Sequence, residues 1–395
     1  MERLYNISQY LQKKVPDDFR RYLYDEIDWD AQLIAIAGAR GCGKTVILLQ
    51  YLKSIANKKN VLYVSLDDIF FSENKLVFFA ESFYQKGGEV LALDEVHKYP
   101  NWSQEIKNIY DTLPDLKLIF TGSSALEIHK GLYDLSRRAL VYNLPGLSFR
   151  EYIELRYKIV LPVFELKDIL LADNSLNSLI IDKIKPLQVF EEYLQMGYYP
   201  FFINAKQNYL KQLLNTINQV IETDLPAIFD IEFASVIKIK KLLSVISRIV
   251  PYKPNIEELA RQVGTTRDTL LKYLFYLEKA QIIKWLGKDT HGLNYLNKPE
   301  KLYLNNSNII HALSNQPNKG NMRETFFLNQ LSAQNFVSYP NKGAFLVDDN
   351  YIFEIGGKSK SRKQIAKLEN SYIVADNIEY SFENKIPLWL FGFLY

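Results

Sequence analysis

Residues 38–45 read Gly-Ala-Arg-Gly-Cys-Gly-Lys-Thr, between an apolar run, Leu33-Ile-Ala-Ile-Ala37, and a helical one, Val46-Ile-Leu-Leu-Gln-Tyr-Leu-Lys-Ser-Ile55. No other feature constrains the chain as much. A strand that runs into glycines and then into a helix makes a cup for an anion: the glycines let the backbone curl until its N–H groups face inward. The helix adds the positive end of its dipole. On this reading Gly38, Ala39, Arg40, Gly41, Cys42, Gly43, Lys44 and Thr45 bind a nucleotide. Lys44 reaches the β- and γ-phosphates, and the Thr45 hydroxyl ligates Mg2+. Arg40 is read as structural. A chance glycine turn is the bland alternative, and the flanking strand and helix argue against it.

A second signal supports the first. The run Val90-Leu-Ala-Leu93 ends in Asp94-Glu95. Carboxylates are costly inside a sheet, so they belong at its C-terminal edge, where open α/β sheets bind ligands. Asp94 is expected to hold Mg2+ through water, and Glu95 to polarise the attacking water as general base. The double acid favours hydrolysis by water over transfer to a small acceptor. No Asn-Lys-x-Asp follows the loop, so ATP is preferred to GTP. The next apolar run, Leu116-Lys-Leu-Ile-Phe120, ends in Thr121-Gly-Ser-Ser124. Ser123 is the candidate there for sensing the γ-phosphate, and an ordinary turn is its alternative. Arg138 is the candidate for stabilising developing charge, in cis or from a neighbouring subunit. The expected catalytic set is therefore Lys44, Glu95, Ser123 and Arg138, with Thr45 and Asp94 as metal ligands.

The apolar runs up to about residue 147 alternate with helical stretches. That pattern gives a doubly wound α/β domain with a parallel sheet over residues 1–147. After Pro145-Gly146 the pattern turns helical, predicting a helical region over 148–295. From about residue 300 strands return, in Lys301-Leu-Tyr-Leu-Asn305, Ala344-Phe-Leu-Val-Asp-Asp349, Tyr351-Ile-Phe-Glu-Ile-Gly356, Ser371-Tyr-Ile-Val-Ala-Asp376 and Pro387-Leu-Trp-Leu-Phe-Gly-Phe-Leu394. They predict a small α/β unit over 296–395.

Composition excludes several classes. Cys42 is the only cysteine, so no intramolecular disulfide forms, and the four histidines (His97, His129, His291, His311) show no zinc-ligand spacing. No run of about 18 apolar residues predicts a membrane span, and the charged N-terminus lacks the apolar core of a secretory signal. A cytoplasmic setting is expected. The abundance of Asn, Lys, Ile and Tyr points to an AT-rich bacterial genome. The net charge of +3 is too small to demand a nucleic-acid partner.

The segments GARGCGKT, VLALDEVHK, LIFTGSSA and LSRRALVYNLPGLSFREY, in that order, resemble a large group of prokaryotic AAA-type ATPases. Its members carry a C-terminal domain of unknown function related to restriction-endonuclease folds. Where the group has Leu-Ser-Gly-Arg this chain has Leu135-Ser-Arg-Arg138, which makes Arg138 the matching arginine. Gly197-Tyr-Tyr-Pro200 is similar to the group's Gly-Gly-Tyr-Pro. The resemblance implies an extra strand between the loop strand and the acidic strand.

Residues 255–278 read as helix, Gly264 turn, helix, and Gln281-Ile-Ile-Lys-Trp-Leu-Gly287 as a strand after it: a winged helix. If it binds DNA, Arg267, Thr269 and Lys272 point into the major groove; packing or protein contact is the alternative. In the C-terminal unit, Glu324, Asp348, Glu354 and Lys358 are candidates for a vestigial metal-dependent nuclease. The position two after Glu354 is Gly356 rather than lysine, and Asp348-Asp-Asn350 also reads as a hairpin turn. Three functions stay open: an ATPase coupled to DNA, an ATP-controlled nuclease, and an ATP-switched scaffold for a protein partner. An oligomer fits each of them.

Overall fold

The computed structural model describes residues 1–122, 135, 137–288, 299–314 and 316–395. By contacts the chain divides into two compact units, Met1–Gly146 and Leu147–Tyr395.

Unit 1 is built on a fully parallel sheet. Its strands are β1 (Leu33–Gly38), β2 (Val61–Ser65), β3 (Val90–Asp94), β4 (Lys117–Gly122) and β5 (Leu140–Leu144), in the order β2-β3-β4-β1-β5. As expected, a strand (β4) lies between the loop strand β1 and the acidic strand β3. Every residue of β1 and β3 is buried, which is why these strands read as unbroken apolar runs. Helices α1 (Glu2–Lys14), α2 (Leu23–Glu26), α3 (Lys44–Ile55), α4 (Phe70–Glu73), α5 (Leu76–Gln85) and α6 (Trp102–Thr112) accompany the sheet. Two apolar clusters share the sheet residues: Ala35, Leu91, Leu93 and Phe120 belong to one, Ile34, Ile36, Val90 and Ile119 to the other. Neighbours along a strand fall in different clusters, so both faces are covered.

Unit 2 opens with helices. Ser148 caps Phe149–Tyr157 through a capping box with Glu151, and further helices follow to Phe233–Ile249. Helix Ile256–Val263 ends at Gly264, whose φ of +78° suits a residue without a side chain. Helix Arg267–Lys279 then starts from a Thr266 cap. Buried Leu259, Val263, Leu270, Leu274 and Leu277 hold this pair in place. β6 (Ile283–Leu286) follows and pairs antiparallel with β7 (Lys301–Leu304). β7 is the Lys301 run that the sequence assigned to the C-terminal unit; its partner is instead the strand after the second helix.

A second five-stranded sheet has the order β12-β11-β10-β9-β8, with β8 (Val337–Ser338), β9 (Phe345–Val347), β10 (Tyr351–Gly356), β11 (Ser371–Ala375) and β12 (Lys385–Pro387). The run Pro387–Leu394, read as a strand, is not one beyond Pro387. Leu388–Phe393 is a 3-10 helix, all of it buried. Ring contacts join Phe393 to Phe149 and Phe391 to Phe327. Ser148 Oγ and Arg150 Nε both donate to the Tyr395 carbonyl, at 2.7 and 3.0 Å. A short apolar run flanked by polar residues fits either state, and only its packing partners decide between them.

Candidate nucleotide site

The loop after β1 follows from its glycines. Gly41 and Gly43 have φ of +85° and +103°, a region that side chains disfavour. Gly38 has a different reason to be glycine: a Cβ there would lie 2.4 Å from the Leu144 carbonyl oxygen and 2.9 Å from Cys42 Sγ. α3 begins at Lys44. Its early N–H groups belong to the orphan donors of a helix start. Those of Val46 and Ile47 reach Gly43 O at 3.1 and 3.2 Å, while those of Lys44 and Thr45 have no partner among the described residues. Lys44 is buried, with Nζ donating to the carbonyls of Gly38 and Ala39 at 2.9 Å each. Buried Arg21 supports the loop from behind, donating to Cys42 O at 2.7 Å and to the Pro145 and Gly146 carbonyls at 2.9 Å each.

Because the strands are parallel, Gly38, Asp94 and Gly122 end at one edge of the sheet. Asp94 is buried, and a buried carboxylate costs several kcal/mol unless it is hydrogen-bonded. Its donors come from three elements and its own chain neighbour. Oδ2 accepts from Thr45 Oγ1 at 2.7 Å and from the Tyr63 hydroxyl at 2.8 Å. Oδ1 accepts from Thr121 Oγ1 and, at 3.2 Å, from Glu95 N. Burial, with the nearby Asp94 charge second, holds the Tyr63 hydroxyl far above its usual pKa, so it stays a donor. Glu95 adopts φ 55° and ψ 42°, an uncommon conformation for a residue with a side chain. Its carboxylate is partly exposed, 3.4 Å from Nε2 of the fully buried His97 side chain.

Tyr63 had no sequence signal that set it apart from a core aromatic. Thr121 did: it is the first polar residue to follow the apolar run Leu118–Phe120, and its hydroxyl touches Asp94. Ser123 lies outside the described residues. Arg138 is at the other end of the sheet. It precedes β5, whose Leu140 pairs with Ile34 near the start of β1. It forms a two-point ion pair with Asp111 of α6, at 2.9 and 3.0 Å. In this arrangement Arg138 takes no part in the loop of its own chain.

The nuclease candidates have separate partners. Glu324 accepts from Lys301 Nζ at 2.5 Å and from the Tyr303 hydroxyl at 3.0 Å. Asp348 and Asp349, with φ of 51° and 54°, form the turn between β9 and β10, and Asp348 accepts from Asn335 Nδ2 and Phe336 N at 2.8 and 2.9 Å. Glu354 pairs with Lys360 Nζ at 2.6 Å, not with Lys358. The chain does fold back after Gly356, but it returns the later lysine, whose aliphatic carbons lie 2.7 Å from where a Gly356 Cβ would stand. Among the described residues no group of three His, Cys, Asp or Glu is placed to hold a metal ion. In the helix pair, Arg267 and Lys272 are exposed. Arg267 lies 3.5 Å from Asp268, and the Thr269 hydroxyl is bonded to that of Thr266 at 2.9 Å.

A parallel sheet of this order, a glycine loop entering a helix, and an acid at the end of β3 touching the loop threonine define an α/β P-loop fold. Residues 30–153 match the family model described as an AAA domain. Residues 187–320 match a second model, described as a domain of unknown function (DUF8612). The uncharacterized protein MJ1637 of Methanocaldococcus jannaschii is 28% identical over 268 residues, 64% of this chain. The match spans 56% of that relative's length. Among solved structures, AMPPCP-bound DnaA from Aquifex aeolicus is similar at 15% identity and a TM-score of 0.26, over 70% of this chain and 88% of that one. C. elegans PCH-2 gives 14% and 0.26 over 69% and 67%, and a katanin structure 16% and 0.30 over 70% and 88%. Overlaps this loose carry no argument about either fold or function. Among the described residues no helix is long and apolar enough to cross a membrane.

Proposed function

We propose that the chain binds Mg·ATP at Gly38–Thr45 and hydrolyses it, and that hydrolysis is coupled to contact with DNA. The contact between Thr45 and Asp94 across the loop carries the reading, because the two side chains expected to share the metal already meet at 2.7 Å. The N–H groups of Lys44 and Thr45, without a partner among the described residues, and the Lys44 ammonium at the loop floor fit a polyphosphate. Bound Mg2+ would neutralise charge on the phosphates. Lys44 would hold the β- and γ-phosphates, and Thr45 and Asp94 the metal. Glu95, partly exposed beside the loop, would accept the proton of the attacking water. Arg138 could serve only the site of a second copy, because its place before β5 removes it from its own.

The coupling to DNA rests on the helix–turn–helix followed by the β6–β7 pair, the arrangement of a winged helix, with Arg267 and Lys272 exposed on its second helix. The metal-dependent nuclease is the weaker reading: the ammonium of Lys360 lies against Glu354, where a metal would have to bind. Phosphate release from ATP by the wild type, Lys44→Ala and Glu95→Gln, each with and without duplex DNA, tests the proposal. Turnover that both substitutions abolish and that duplex DNA raises supports it. Turnover indifferent to DNA removes the coupling, and no wild-type turnover removes the hydrolase.

A further inference from the structure

The second β-sheet carries a concentration of charge that neither the nucleotide site nor the helix pair uses. Between residues 358 and 367 the chain has Lys358, Lys360, Arg362, Lys363 and Lys367 and no carboxylate. Those five positive charges exceed the +3 of the whole chain, so elsewhere acids outnumber bases by two. We infer that this strip, following β10, is a surface that grips the phosphate backbone of nucleic acid.

The strip is pinned to the sheet at three points. Lys360 is tied to buried Glu354 at 2.6 Å. Arg362 Nη2 donates to Ser371 Oγ of β11 at 2.9 Å. The fully buried Ile365 packs with Ile373 and Ala375. Pinning removes most of the ordering cost that a flexible basic tail would meet on binding. What remains outward is a set of donors: Lys358, Ser359, Ser361, Lys363 and Lys367 are all exposed. Lys385 Nζ donates to the Lys358 carbonyl at 3.0 Å, bringing a further cation alongside. Of the nearby acids, Glu354 is paired with Lys360 and Asp376 with Arg323 at 2.8 Å; the exposed Glu369 and Glu383 flank the strip, and the six bases Lys358, Lys360, Arg362, Lys363, Lys367 and Lys385 outnumber Glu354, Glu369 and Glu383.

Cations and hydroxyls without base-reading geometry are the donor set of backbone contacts. An anionic bilayer would be gripped best by a strip that itself offers apolar groups to enter it; between 357 and 367 the largest exposed apolar side chain is that of Ala366, and the exposed Tyr380 and Phe382 belong to the turn before Lys385. The inference rests on the reading that nucleic acid is the partner, and it assigns the contact to a different surface from the helix pair.

The test is fluorescence anisotropy of a labelled random-sequence DNA duplex against salt. It compares the wild type, the triple substitution Lys358→Ala/Lys363→Ala/Lys367→Ala, and the pair Arg267→Ala/Lys272→Ala. Each replaced side chain is exposed, and an unchanged thermal melt and unchanged nucleotide binding report that the fold is intact. Each phosphate contact contributes about 0.9 to the slope of log K against log salt, so the triple variant is expected to lose about 2.7 from that slope. Affinity near 0.1 M salt should fall at least about tenfold. A triple variant that binds like the wild type while the helix-pair variant loses binding overturns the strip and leaves the DNA reading standing. No wild-type binding to the duplex overturns both. Binding to vesicles containing phosphatidylserine but not to DNA overturns the choice of partner.

Discussion

Replacing Tyr63 with phenylalanine removes one oxygen and leaves the ring in its buried place on β2. The hydroxyl it removes is one of the two donors to Asp94 Oδ2, at 2.8 Å. A hydrogen bond to a charged acceptor contributes about 1.5–3 kcal/mol. Asp94 keeps Thr45, Thr121 and the Glu95 amide, so the lower end, about 1.5 kcal/mol, is expected. For a unit of this size that is a fall in melting temperature of roughly 3–6 °C. A second effect follows from the same bond. Groups that orient a metal-holding carboxylate change metal affinity by about 10–100-fold when lost; on the proposed role of Asp94, the Mg2+ concentration that half-tightens binding of a fluorescent ATP analogue should therefore rise about tenfold. Nucleotide binding without Mg2+ should change little. Tyr84→Phe is the control, since its hydroxyl meets Asp115 at 3.2 Å on an exposed surface and should matter by less than about 0.5 kcal/mol. If Tyr63→Phe melts with Tyr84→Phe and needs no more Mg2+ than the wild type, the account of the Asp94 carboxylate is wrong.

Three further outcomes are expected. Gly38→Ala should cost about 1–3 kcal/mol through overpacking, because the Leu144 backbone must move from a 2.4 Å contact; a urea melt superimposable on the wild type would contradict it. Lys360→Ala should destabilise unit 2 by about 1–3 kcal/mol by removing the charged partner of Glu354, less than a fully buried pair because Lys360 is partly exposed and the Gln364 amide also reaches the carboxylate, whereas Lys358→Ala should stay within about 0.5 kcal/mol; equal melts for the two would reject the pairing. Alkaline pH should weaken the fold. Burial holds Tyr51 at about 12 and raises Tyr152, Tyr209 and Tyr303 as well. A folded pKa above the unfolded value means stability is full below about pH 10 and falls as pH rises from there toward the folded values. Phenolate absorbance should therefore lag in the folded protein and jump at unfolding, and smooth titration near pH 10 of every tyrosine would refute this.

What the sequence made legible was local. The loop, the acids at a strand end and the helix–turn–helix each lie within a few consecutive residues, where spacing alone carries the chemistry. Contacts between distant strands were not legible. Tyr63 looks like any core aromatic until the β2–β3 register, with Tyr63 opposite Ala92, brings its hydroxyl up to Asp94. Thr121 was visible as a polar residue closing an apolar strand, yet its bond to Asp94 needed the register of β3 and β4. The Lys301 run was rightly seen as extended, but extension does not name a partner. Pro387–Leu394 has the composition of a buried strand, and only its ring contacts with Phe149 and Phe327 show why it coils. After Glu354 the lysine read as its companion was Lys358, and the path of the turn brings Lys360 to it instead.

The support that Arg21 gives the loop bears on where the first unit can be cut. The AAA match begins at residue 30, and a fragment starting there would keep every residue of the phosphate loop. It would lose the guanidinium that joins residue 42 to residues 145–146. It would also lose the Ser8 hydroxyl that takes up the Tyr63 amide at 2.9 Å, and the Pro16 and Phe19 carbonyls that receive Gln50 of α3 at 2.8 Å each. Three carbonyls at the loop and the strand end, one backbone amide on β2 and the Gln50 side-chain amide of α3 would be left without these partners. Residues 8–21 thus brace the candidate site, and trimming to the motif boundary would keep the loop and remove the hydrogen bonds that hold it.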